Sequence, residues 1–265
     1  MLPYRSHSRL LLIVACEALV IVPSLALAGQ PLETETARLP LQGQGNIQIV
    51  AEYQTSSAGQ EFAIPLAFEY GITNRIELAI EPVPYTSIRP KEGRSASGLG
   101  DTEATLTYLL THETGNMPAI AIAGEVKFPT ARDPLIGTKA TDYRGVVILS
   151  KRFGDFDAHA NFGYTFVGSP PGASLGNIFD YAVAVEYFAS KRTQLVAEVI
   201  GNTSSGSGEG SPSTGGTIIP EAAGGEVVGL IGVRHEFNDS VAVSLGVTYD
   251  NNHAILFRPG LTIAF

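Results

Sequence analysis

Apolar and polar residues alternate with a period of two along most of the chain after Gly45. Phe62, Ile64, Leu66, Phe68, Tyr70 and Ile72 share one parity, and between them lie Glu61, Ala63, Pro65, Ala67 and Glu69. Successive side chains of a strand point to opposite faces, so this run predicts a strand with one greasy face. The same reading predicts strands over Ile47–Tyr53, Ile76–Pro84, Thr102–Leu110, Ile120–Phe128, Tyr143–Phe153, Phe156–Phe166, Phe179–Tyr187, Thr193–Val199, Val227–Phe237, Val241–Tyr249 and Ile255–Phe265. Tyr143–Phe153 and Thr193–Val199 carry apolar residues at both parities. Most of these strands approach the roughly 9–11 residues that a tilted strand needs to cross a bilayer.

The connections between the strands fix the class. Thr73-Asn74-Arg75, Gly154-Asp155, Ser190-Lys191-Arg192 and Asn238-Asp239-Ser240 are tight. Ser87–Ser97, Pro129–Asp142, Gly168–Asn177 and Asn202–Ala222 are long and rich in Gly, Pro and Ser. Long and short largely alternate, with Ser56–Gln60 and Asn251-Asn252-His253 as short exceptions on the long side. That is the loop pattern of an outer-membrane barrel. Tyr53, Tyr70, Tyr85, Tyr108, Phe128, Tyr143, Phe153, Tyr164, Tyr187 and Tyr249 fall near strand ends, as interfacial girdles do. A soluble β-sandwich also alternates, but its second face is freely polar; here that face mixes Ala, Gly and Thr with isolated carboxylates. The expected fold is therefore all-β: a transmembrane antiparallel up-and-down β-barrel of about 12 strands. An even strand count puts both barrel ends in the periplasm, with Phe265 closing against the strand near Ile47.

Residues 1–28 read as a signal peptide. Arg5 and Arg9 form the positive region, Leu10–Ala15 and Leu19–Leu27 are apolar, and Ala26-Leu27-Ala28 is a small-x-small cleavage site. Glu17 and Pro23 interrupt the apolar run, which argues against a retained helix. Ile13-Val14-Ala15-Cys16 resembles a lipoprotein box, but cleavage there would leave a hydrophobic 18–27 stretch on the mature chain. Cys16 is the only cysteine, so cleavage after Ala28 leaves no thiol and no disulfide. Residues 29–45 are expected as a periplasmic N-terminal segment and 46–265 as the barrel, with two alternatives open for Gln30–Gly43: hanging in the periplasm or plugging the lumen.

A net charge of −9 excludes a general nucleic-acid binder. Charge facing lipid is costly, about 2–4 kcal/mol for Arg or Lys at the midplane, so parity turns the strand charges inward. The lumen candidates are Glu52, Glu69, Glu77, Glu81, Asp101, Glu103, Glu125, Lys127, Arg144, Arg152, Asp157, His159, Asp180, Glu186, Glu198, Glu226, Arg234 and Arg258. Acids outnumber bases, which suits a cation-tolerant pore or a pocket for a polar or cationic group. The same charges also serve a wall held by cross-strand ion pairs.

His159 beside Asp157 and Asn161 is the one residue with catalytic character. A hydrolytic triad would need a positioned serine, and no Gly-x-Ser-x-Gly elbow is present. His112, His235 and His253 lack metal-ligand spacing, and Asp133, Asp142 and Asp250 are scattered as Ca²⁺ ligands. No catalytic residue, metal or cofactor is expected. Gly98-Leu99-Gly100-Asp101 fails as a nucleotide loop, because no βαβ unit surrounds it, and reads instead as a bend into a strand where glycine permits positive φ.

That motif with Thr102, together with Glu125-Val126-Lys127-Phe128-Pro129-Thr130, Leu149-Ser150-Lys151-Arg152-Phe153-Gly154 and Ala158-His159-Ala160-Asn161-Phe162-Gly163-Tyr164, resembles the bacterial outer-membrane family labelled "MetA-pathway of phenol degradation" or transporter. The resemblance spans Asn46 to Phe265. It implies an outer-membrane channel passing small solutes, hydrophobic and aromatic ones included, and it carries no catalytic residues. The final strand ending on Phe265 resembles the closing strand of such barrels, where the terminal aromatic is an assembly signal. Expected partners are outer-membrane lipid and lipopolysaccharide, the assembly machinery and a small-molecule solute. The alternatives are a lipid-modifying barrel enzyme with His159 as base, and a structural or adhesive barrel acting through its outer loops such as Ser204–Thr217.

Overall fold

The alternating segments all become strands in the computed structural model, which describes residues 31–170, 175–205 and 225–265. The leader, its cleavage site, Cys16 and most of the Ser204–Thr217 loop lie outside the described residues. The first four strands are each built of two segments: β1 (Gly45–Val50) with β2 (Glu52–Thr55), β3 (Gly59–Ile64) with β4 (Leu66–Thr73), β5 (Ile76–Pro82) with β6 (Tyr85–Pro90), and β7 (Ala96–Gly98) with β8 (Thr102–Thr111). Eight unbroken strands follow: β9 (Ala119–Phe128), β10 (Asp142–Phe153), β11 (Phe156–Phe166), β12 (Ile178–Ser190), β13 (Thr193–Asn202), β14 (Glu226–Asn238), β15 (Val241–Asp250) and β16 (Ile255–Ala264). Each pairs antiparallel with its neighbours, and β1 pairs with β16 through Asn46↔Ala264 and Ile47↔Ile263. This is a closed twelve-stranded antiparallel barrel, in which β1 and β16 pair with each other and so leave no open edge between the first and last strands.

Proline explains part of the segmentation. Pro65 separates β3 from β4, and Pro259 lies within β16; the two flank the break at Ala51 between β1 and β2. Neither can donate a ladder hydrogen bond, so only their carbonyls act here, accepting from the Val50 and Ala51 N–H groups. Pro84 similarly separates β5 from β6. The Ser87–Ser97 stretch, expected as loop, is largely a β6–β7 hairpin paired at Thr86↔Gly98 and Ile88↔Ala96. Gly98 and Gly100 do not adopt positive φ. Gly100 is required for close approach instead: a Cβ there would stand 2.7 Å from the Val83 side chain.

Parity sorts the faces as expected. All ten girdle aromatics are exposed on the outer surface, as are Leu106, Ile122, Val183 and Ile231. Such a belt would be an aggregation hazard in water and is the surface a bilayer solvates. The opposite face holds the charges: Glu52, Glu69, Glu77, Glu103, Lys127, Asp157, His159, Glu186, Glu198, Glu226, Arg234 and Arg258 are buried, and Glu81, Asp101, Glu125, Arg144 and Asp180 are half-buried. Arg152 has inward parity but stands next to a turn, so its side chain is 43% exposed and reaches back to Asp157 at 3.0 Å.

Candidate functional site

The lumen is occupied by the chain's own N-terminal segment. Residues 32–38, for which a periplasmic tail and a lumen plug were both open, run along the inner wall, and the reason lies in the hydrogen-bonding capacity of that wall. An extended segment carries unmatched N–H groups that need acceptors when buried. Glu198 on β13 accepts from the Leu32 N–H at 2.6 Å, the Thr34 N–H at 2.8 Å and the Thr34 hydroxyl at 2.6 Å. Asn161 on β11 both accepts from the Glu35 N–H (2.7 Å) and donates to the Glu35 carbonyl (3.0 Å). Ser150 on β10 accepts from the Ala37 N–H at 2.8 Å. Ala37 then packs against Leu109, Ala119, Ala121, Val146 and Ile148.

Shape supplements polarity at the tip. Gly232 and Gly246 are cross-strand partners on the inner face of β14 and β15. Together they leave a notch filled by the Leu32 side chain, where a Cβ on either glycine would run into Leu32 Cδ1. Arg258 on β16 holds the same tip through the Leu32 carbonyl (2.5 Å) and the Glu33 carboxylate, and also reaches Glu52 at 3.1 Å.

The other end is tied at the short-turn rim. Arg38 donates to Asp157 at 2.7 and 2.8 Å and to Glu113, in the turn after β8, at 2.8 Å. Lys151 also reaches Glu113 at 3.0 Å. Burial pushes the Glu113 carboxyl up, but hydrogen bonds from Arg38, Lys151 and the Arg152 N–H outweigh it and hold the group at about 2, below its ordinary 4.5. A depressed folded value means that the tie is fully present above pH 4.5 and is lost as pH falls through about 2. Amide hydrogen exchange at Thr36–Arg38, corrected for intrinsic rate, should lose protection across that window. Glu113→Gln should lower protection at neutral pH and flatten its pH dependence; identical profiles would disprove the tie.

His159 does acquire the serine that sequence reasoning lacked. Its Nδ1 lies 2.8 Å from Ser150 Oγ, and its Nε2 lies 3.3 Å from Glu186 and 3.8 Å from Asp157. Ser150, however, is 1% exposed and its oxygen already accepts from Ala37, with Thr36 Oγ1 at 3.2 Å. A nucleophile needs an approach for substrate, whereas this serine is covered by the segment it anchors. His235 meets Thr193, and His253 meets Tyr249. Asp133 binds Arg94, Asp142 binds Lys127, and Asp250 accepts from the Asn252 and Ala254 N–H groups, so each is occupied within its own locality. Among the described residues no group of three or more potential metal ligands converges.

On the long-loop side of the segment lies a cavity of about 210 Å³. Leu32, Glu33 and Glu35 form part of its lining, and the barrel wall supplies the rest. Seven carboxylate side chains line it against two guanidinium groups, those of Arg144 and Arg258. Arg144 is held by Glu125 at 3.0 Å and Asp180 at 2.5 Å. Lys127, directly opposite Glu103 in register, reaches Asp142 at 2.5 Å.

Residues 80–253 match the family described as "Putative MetA-pathway of phenol degradation". No curated protein matches the chain. Among solved structures, the COG4313 outer membrane channel from Pseudomonas putida F1 is similar over 89% of this chain and 100% of that one, at 11% identity and a TM-score of 0.64. The KdgM porin in complex with disordered oligogalacturonate is similar over 83% and 99%, at 10% identity and 0.54. The NanC porin is similar over 82% and 98%, at 10% identity and 0.55. These likenesses identify the architecture as that of an outer-membrane barrel.

Proposed function

The chain belongs to the MetA-pathway of phenol degradation family, and from that membership we propose that it is an outer-membrane channel for a small solute, with an acidic lumen that its own N-terminal segment narrows. The observation that carries this reading is the closed barrel whose inner face is charged and encloses a cavity beside the segment. A wall built only for stability gains little from buried charge, because replacing buried ion pairs by apolar packing is often neutral or stabilising. A charged, hydrated interior is what a polar path through a membrane requires.

Solute class follows from the sign of the lining. The oligogalacturonate of the KdgM complex is an acidic sugar chain, and seven carboxylates against two guanidinium groups disfavour such a solute here. A small cationic or neutral solute with an apolar body fits better. The short-turn rim is the periplasmic one, the girdle contacts outer-membrane lipid and lipopolysaccharide, and Phe265 is the residue presented to the assembly machinery. Ser150 holds the segment at Ala37, His159 and Glu186 stand behind that serine, and on this reading the three serve structure and not hydrolysis.

Purified protein reconstituted in planar bilayers should give discrete, cation-selective conductance steps, read from the reversal potential in a salt gradient. Absence of steps from both the native chain and a folded variant lacking residues 31–40 would overturn the channel reading.

A further inference from the structure

The bases of the long-loop connections are confined to one side of the barrel. Connections 87–97 and 129–142 hold Arg89, Lys91, Arg94, Arg132 and Lys139, all of them exposed. The other connections at that end, 56–60, 168–177, 202–222 and 251–253, contain no Lys or Arg. In a chain of net charge −9, this sets one arc of the rim apart. The acids within the arc are Glu92, Asp133 and Asp142, and Asp142 is buried against Lys127. Arg94, in the β6–β7 hairpin, grips Asp133 with both guanidinium arms at 2.6 and 2.7 Å, so the hairpin and the 129–142 loop form one surface. Lys139 lies within electrostatic reach of the same carboxylate. From beneath, the Thr130 hydroxyl donates to the Gly100 carbonyl at 2.8 Å, and Asp101 accepts from the Ala131 N–H at 2.9 Å. A surface held in place before its ligand arrives loses little freedom on binding.

The height of the arc says where that ligand comes from. Arg89 has the same outward parity on β6 as the girdle residue Tyr85, whose ring stands 6.2 Å from that of Phe62. Four residues at about 3.4 Å each put Arg89 about 14 Å further along the strand. A strand tilt of about 40° turns that into roughly 10 Å of height above the rings. Girdle rings mark the membrane interface, so the Arg89 guanidinium stands among the headgroups. An outward-facing base is heavily penalised at the midplane and tolerated only near the interface, which fits this placement.

The chemistry that fits is a phosphate carried on a lipid. A guanidinium fork matches phosphate oxygens, and ammonium groups beside it add charge. Acyl chains of the same molecule can lie along Phe62 and Tyr85, a contact that a soluble anion lacks. A soluble anion also has no onward path, because the cavity below presents seven carboxylates against two guanidinium groups.

We propose that this arc binds the phosphorylated glycolipid of the outer leaflet, the lipid A of lipopolysaccharide. Arg89 and Lys91 receive a phosphate, Arg132 and Lys139 extend the basic surface over the sugar headgroup, and Phe62 and Tyr85 meet the acyl chains. The assignment rests on the channel reading only for which rim faces outward, and binding is measured without transport.

The test is titration of the full detergent-solubilised chain, with a chelator present, against three probes. These are bisphosphorylated lipid A, the same lipid with both phosphates removed, and inorganic phosphate as competitor. Bisphosphorylated lipid A should bind, and the dephosphorylated form should bind at least about tenfold more weakly, as loss of charge-assisted hydrogen bonds implies. Inorganic phosphate at equal concentration should not displace the lipid. Arg89→Gln with Lys91→Gln should weaken the bisphosphorylated lipid about tenfold or more on the same basis. Lys191→Gln, an exposed base on the short-turn rim, should leave it unchanged. Heat-modifiable migration on a gel establishes that each variant is folded. The proposal is overturned if the two lipids bind alike, if neither binds, or if the folded Arg89/Lys91 variant binds as the native chain does. It is equally overturned if Lys191→Gln weakens binding as much, or if inorganic phosphate displaces the lipid at equal concentration. Conductance recorded on the same preparations separates the two readings: a conducting barrel that fails the titration sinks the lipid site alone.

Discussion

Excising residues 31–40 should raise single-channel conductance several-fold and leave a folded barrel. The segment contributes no strand, so the twelve-strand hydrogen-bond network closes without it. What the excision removes is the material held by Glu198, Asn161 and Ser150 in mid-lumen and by Asp157 near the rim. These wall groups are polar, and water can solvate them once the segment is gone, so the widened lumen fills with solution. Planar-bilayer recording measures the step size, and circular dichroism with gel migration establishes folding. A folded variant with native conductance would show that the segment does not limit flow.

A point substitution tests the same idea with the segment still present. Gly232→Val places side-chain atoms in the notch that holds Leu32. The tip should be expelled, while Arg38 keeps the other end tied to Asp157 and Glu113. Conductance should then lie between the native and excised values. Glu198→Ala attacks polarity instead of shape. It leaves the Leu32, Glu33 and Thr34 N–H groups and the Thr34 hydroxyl without their acceptor. Each lost bond to a charged group is worth about 1.5–3 kcal/mol, enough in sum to release the tip.

The barrel was legible because alternation at period two is imposed by the strand itself and repeated in every crossing. Phe62 to Ile72 already carried both the lipid face and, through Glu69, the inner face. Its interruption at Pro65 was equally visible, since proline cannot donate to a ladder. The occupied lumen was legible only as one of two alternatives for the N-terminal segment, for a physical reason. Leu32 to Ala37 are held chiefly by their main-chain N–H groups, which every residue has, so no side-chain pattern advertises the contact. The wall's contribution was partly readable: parity turned Glu198 and Asn161 inward, but nothing in the spacing said that their partner was a segment some 126 to 166 residues away in sequence. Ser150 escaped notice because a single serine in a strand has no signature. Only the fold brings it opposite His159, as register partners on β10 and β11. The Gly232–Gly246 notch required register as well, since two glycines on different strands make a recess only when they are paired.

Replacing Phe265 by Ala should lower the amount of folded barrel recovered from outer membranes far more than replacing Phe257 does. Both rings face the lipid side, 61% and 44% exposed. Truncating a fully buried Phe costs about 3–5 kcal/mol, and neither ring is buried enough to lose that much, so equilibrium stability alone predicts similar, modest effects. Position distinguishes them. Phe257 lies near the start of β16, paired with Tyr53 of β2, whereas Phe265 is where β16 meets the start of β1. Its N–H donates to the Gly45 carbonyl and its carbonyl accepts from the Gly45 N–H, both at 2.9 Å. The ring also lies over Gly45: a Cβ there would be 2.9 Å from a Phe265 ring carbon and 2.5 Å from the Glu69 carbonyl oxygen. This contact joins the last residue of the barrel to its first, so it forms only when the sheet closes, and its loss slows closure rather than unfolding. Gly45→Val should reproduce the defect from the opposite strand by denying the ring its place. The measurement is the fraction of heat-modifiable barrel after pulsed expression, with refolding into detergent as the control for stability. Equal yields for Phe265→Ala and Phe257→Ala would remove Phe265 from the closure step and leave it an ordinary member of the lipid-facing surface.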